Sequence, residues 1–60
     1  MHFVIVYFRN DEEAGRVLPR SGALADIIRV ATDGLVRHDA DRFEIFDDGG
    51  NVVASAPKPA

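Results

Sequence analysis

Cysteine and tryptophan are absent from these sixty residues, and there is a single methionine. Without cysteine there is no disulfide and no thiolate metal site. A structural zinc would have to draw on His2, His38 and carboxylates, a poor set for a closed tetrahedral site. Long apolar runs are also missing. The longest, Phe3–Phe8, has six residues, against the roughly 20 that a membrane-spanning helix needs. Nor does one sign of charge dominate: the formal net charge is −3, which argues against a chain that works by neutralising phosphates. Met1-His2 leads into the apolar run without a basic segment, so a secretory signal is not expected and the chain reads as cytoplasmic.

Sixty residues make one domain, read here as residues 1–55 followed by a proline-broken, disordered tail at 56–60. A domain of this size buries only about 60% of its unfolded surface. With no disulfide and no metal to staple it, oligomerisation is the remaining route to added stability.

The segment Phe3–Phe8 reads FVIVYF and is apolar on both faces of a strand. Phe3, Ile5 and Tyr7 point one way; Val4, Val6 and Phe8 point the other. A strand this apolar is expected in the centre of a sheet, because at an edge it would aggregate. The polar stretch Asn10–Gly15 reads as a turn, and Arg16-Val17-Leu18 as a short edge strand that Pro19 cuts off. Ser21 is the expected N-cap of a helix running to about His38. At about 100° per residue, Leu24, Ile27, Ile28, Ala31 and Leu35 fall on one face, and Asp26, Arg29, Asp33 and Arg37 on the other. Gly34 weakens the helix by about 1 kcal/mol relative to alanine, and suits a close approach to the sheet. Arg42–Phe46 reads as a strand, Asp47-Asp48-Gly49-Gly50 as a hairpin turn and Asn51–Ser55 as the returning strand.

The expected fold is therefore α+β: a three- or four-stranded, mostly antiparallel sheet with one helix on one face, in the order β(β)αββ. The helix, the strand Arg42–Phe46 and the Asp47–Val53 hairpin together resemble small bacterial β(β)αββ families of unknown function. That resemblance covers most of the chain and implies a fold without an activity. The opening, a strand and an acidic turn before a second strand and a helix, also resembles antitoxins of the HicB type. Their Pro-Asp-Leu-Pro-Gly-like stretch is replaced here by Val17–Gly22, and the implied role is that of a regulatory partner protein.

Each group that could carry chemistry has a plainer reading. His38-Asp39-Ala40-Asp41 could offer metal ligands, but reads as a helix end followed by turn-forming aspartates. Asp47–Asn51 lacks the alternating oxygen ligands and distant glutamate of a calcium loop. Asp11-Glu12-Glu13 lies in a solvated turn, without the cleft that would split two carboxylate pKa values. The arginines are interleaved with acids, so no nucleic-acid surface is expected. Ser21 and Ser55 lack a nucleophile elbow. No enzyme activity, cofactor, metal or membrane partner is expected.

What remains is the second apolar face of the sheet, since one helix covers one face. The sequence reading places Val4, Val6, Phe8, Phe43 and Ile45 under the helix. It leaves Phe3, Ile5, Tyr7 and Phe46 as an outward patch that forms a homodimer interface or receives another protein.

Overall fold

The structure, a computed structural model, describes residues 2–57, and the side chains of all of these except 18–20. It contains β1 (His2–Arg9), β2 (Glu12–Ser21), α1 (Leu24–Arg37), β3 (Arg42–Phe46) and β4 (Val52–Pro57). The strands form one antiparallel sheet in the order β2-β1-β3-β4. The α+β class and the β(β)αββ order are as the sequence predicts, with a four-stranded sheet and the FVIVYF strand inside it. Among the described residues no helix is long and apolar enough to cross a membrane.

The second strand is longer than the sequence suggests, and its start explains why. Asn10 and Asp11 both adopt positive φ, 53° and 66°. That is the two-residue hairpin turn whose twist matches paired strands. Residues 12–15 therefore join the ladder instead of forming a loop. Two irregularities accommodate the rest. Ala14 is extra between the pairs Tyr7–Gly15 and Phe8–Glu13. Leu18 and Pro19 lie between the residues that pair with Phe3 and Ile5. A proline at a bulge of an edge strand costs no ladder bond, so Pro19 does not end the strand.

Ser21 is the last residue of β2 and does not cap the helix. The N-cap is Ala23, which makes no side-chain cap bond. The C-terminal end is better defended. The Ala40 amide donates to the Leu35 carbonyl (2.9 Å) and the Asp39 amide to that of Val36 (3.1 Å). Asp39 takes the left-handed conformation at φ 53°. This is the Schellman arrangement, with an aspartate where glycine is usual. Ala40 then drops into the core at 1% exposure. Ala56 and Pro57, read from sequence as tail, belong to β4; positions 58–60 of that tail lie outside the described residues.

The core sits between α1 and the sheet. Ile27, Ala31 and Leu35 pack on Phe3, Ile5, Tyr7, Phe43 and Ile45. Leu24, Ile28 and Val30 flank this cluster half-buried.

Candidate functional site

The helix covers the opposite face of β1 from the one expected. Phe3, Ile5 and Tyr7 are 4%, 0% and 1% exposed and belong to the core beneath α1. Of the four residues read as an outward patch, Phe46 alone lies on the uncovered face. The cause is register. Ile5 pairs with Ile45 and Tyr7 with Phe43, whereas Val4 pairs with Phe46, Val6 with Glu44 and Phe8 with Arg42. Directly paired residues share a face, and a one-residue offset in register moves a whole set of side chains to the other side. The face bearing Phe43 and Ile45 is wholly apolar, and the one bearing Arg42 and Glu44 is mixed, so the helix takes the former.

The face away from the helix is the candidate site. Its centre is Val6, 3% exposed yet outside the helix-side core. Val4, Phe8 and Phe46 surround it, each half-buried. Charged residues flank this apolar strip on both sides. On β2, Arg16 pairs with Val6, and its guanidinium holds Glu13 at 2.8 Å. The Arg16 hydrogen bond keeps the Glu13 carboxyl below its ordinary value. On β3, the Arg42 guanidinium lies 4.1 Å from the centre of the Phe8 ring and 3.4 Å from the Glu44 carboxylate. A cation on a ring face is held by the ring quadrupole, so Arg42 partly roofs Phe8. A depression of about 320 Å³ opens between Val4, Val6, Arg16 and Phe46, bounded by the Asp47–Gly50 turn. Among the described residues no element of the chain lies over this face.

The other groups considered from sequence are occupied by the fold. His38 stacks on Tyr7, ring centres 4.3 Å apart. Asp39 is paired with Arg9, and the Asp41 carboxylate accepts the Asn10 amide at 2.9 Å. Together they tie the β1–β2 turn to the loop after α1. Asp47 accepts the backbone amides of Gly49 (2.9 Å) and Asn51 (3.0 Å) and so closes its own turn. Asp11 lies 3.7 Å from Arg42 and Glu13 is held by Arg16, so the acidic run is distributed between two arginines. Ser55 lies on β4 opposite Glu44.

Sequence reasoning identified an uncovered face but missed Val4, Val6 and Phe8 as its residues. The pattern of β3, where Phe43 and Ile45 alternate with Arg42 and Glu44, places Phe43 and Ile45 under the helix, but the register of β1 against β3 decides which residues of β1 join them. Comparisons with protein-family models, with curated proteins and with solved structures return no match.

Proposed function

We propose that this chain is a cytoplasmic, self-associating protein–protein interaction domain, and that two copies meet through the sheet face of Val4, Val6, Phe8 and Phe46. The observation that carries this reading is an apolar strip, uncovered by any described element, with an arginine held by acids on each side. A face of mixed charge suits a copy of itself, because Arg16 of one protomer can meet Glu44 of the other. It does not suit a polyanion, which wants a basic face. A standard interface takes about 800 Å² from each partner, about a fifth of this chain's 3966 Å² surface. One broad side of a two-layer domain is enough.

A second reading, a regulatory partner of the HicB antitoxin kind, draws on the order β1, acidic turn, β2, α1. An adjacent gene for a small toxin that binds the chain would favour it. The primary reading is tested by light scattering after size exclusion, on the wild type and on Val4→Glu. The expected result is a wild type of at least two chains and a folded variant of half that mass. A wild type that is monomeric at 100 micromolar would overturn it.

A further inference from the structure

The two edges of the sheet are protected very differently. An unprotected edge strand offers a row of free amides and carbonyls to any passing strand, and natural edges blunt this with charge, proline and bulges. β2 carries all of these: Glu12, Glu13, Arg16, Pro19 and two register irregularities. β4 has the opposite character. Its sequence Val-Val-Ala-Ser-Ala-Pro contains no charge, its one irregularity lies at its start opposite Phe46, and its proline is its last residue. Val52 and Val53 are 51% and 37% exposed, two of the three large apolar side chains left in solvent among the described residues.

We infer that β4 is an assembly edge, and that its occupant is β4 of a second copy, paired antiparallel about a two-fold axis normal to the sheet. Such an axis keeps each face on its own side. Ala54 and Ala56, which pack toward the helix-side core, then meet each other, and Val53, Ser55 and Pro57 meet each other. In a self-pair, residues near the axis face their own copies, so a charge there would face a like charge. β4 has none in any register, which makes it suited to a copy of itself. Isologous two-fold contacts of this kind are the commonest in homo-oligomers. The result is a continuous eight-stranded sheet. This edge is distinct from the face proposed above and leaves that face open. Occupied together, with their two axes crossing at right angles, the two contacts build a closed four-chain assembly.

Light scattering on the wild type, Val53→Lys, Val4→Glu and the double variant separates the two contacts, with circular dichroism confirming the fold of each. With both contacts in use, the wild type has four times the 6.6 kDa of one chain. Each single variant then has half that mass, and the double variant a quarter. In the assembled wild type, hydrogen exchange should be slow at consecutive amides of β4. A wild type that halves in mass with Val4→Glu but not with Val53→Lys overturns the edge pairing and leaves the face contact standing. The reverse pattern overturns the face contact alone. Fast exchange at alternate β4 amides in the wild type also overturns the edge pairing.

Discussion

The Tyr7 hydroxyl occupies the space that a Cβ on Gly34 would take. From there it donates to the Ala31 carbonyl one turn earlier in α1, at 3.1 Å. The helix thus approaches β1 closely where it has no side chain, and the polar end of a core tyrosine finds its acceptor on the helix backbone. His38 closes the same corner by stacking on the Tyr7 ring, over Gly15 of β2. Two glycines and two rings therefore fix how helix and sheet are spaced.

Gly34→Ala is expected to destabilise the protein although alanine is the better helix former by about 1 kcal/mol. Overpacking costs about 1–3 kcal/mol, so after that gain a net loss of up to about 2 kcal/mol should appear in urea unfolding. Adding Tyr7→Phe should return part of it. The phenol oxygen is then gone, but the new Cβ still lies 2.8 Å from Cζ. The two changes should be clearly non-additive, as for any pair in contact.

Ile5→Asp and Val4→Glu should behave differently, although they alter adjacent residues of one strand. Ile5 is fully buried beneath α1. A carboxylate there has no partner, and a buried, unpaired charge typically costs several kcal/mol, enough to unfold a small domain. Val4 is half-buried on the uncovered face, where a carboxylate keeps contact with water. Circular dichroism and thermal unfolding should show Ile5→Asp unfolded and Val4→Glu folded. Equal damage from both would contradict the assignment of faces.

Element order was legible because its signals are local. The two-sided apolar run of β1, the helical spacing of Ile27, Ala31 and Leu35, and the Asp47–Gly50 turn each act within a few residues. The faces of β1 were not legible, because both are apolar and the choice depends on register against β3, some forty residues away. β2 was hidden for another reason. Glu, Ala, Gly and Pro have little strand propensity, and Glu12–Ser21 is held as a strand by the turn at Asn10-Asp11 and by β1 beside it. Ser21 looked like a cap from residue type alone, yet the bulge at Leu18-Pro19 extends β2 through it.

Asp11→Gly is expected to stabilise the fold. Asp11 sits at φ 66° as the second residue of the β1–β2 turn, the position at which glycine is favoured in hairpins of this type. The left-handed conformation costs an L-residue about 1–2 kcal/mol, less for aspartate than for most. The ion pair given up with Arg42 is long, 3.7 Å, and its carboxylate is 94% exposed, so its loss matters little. The gain should be up to about 1 kcal/mol, read as a higher urea midpoint with an unchanged slope.

Asp47 should make stability depend on pH in the acid range. The Asn51 backbone amide, followed by that of Gly49, donates to its carboxylate and holds its pKa below the ordinary 3.8. A group whose pKa is lower folded than unfolded adds stability that is fully present above its unfolded value. That contribution fades as pH falls from the ordinary carboxylate range through the lowered folded value. Asp47→Asn keeps an oxygen to accept the same amides but removes the titration. The stability difference between wild type and Asp47→Asn should be flat above about pH 5 and shrink below about pH 4. Because the carboxylate is solvated, the effect should also weaken with added salt. Urea unfolding of both proteins from pH 2.5 to 7 measures it. A difference that stays constant through that range would mean that the turn bonds do not favour the ionised form.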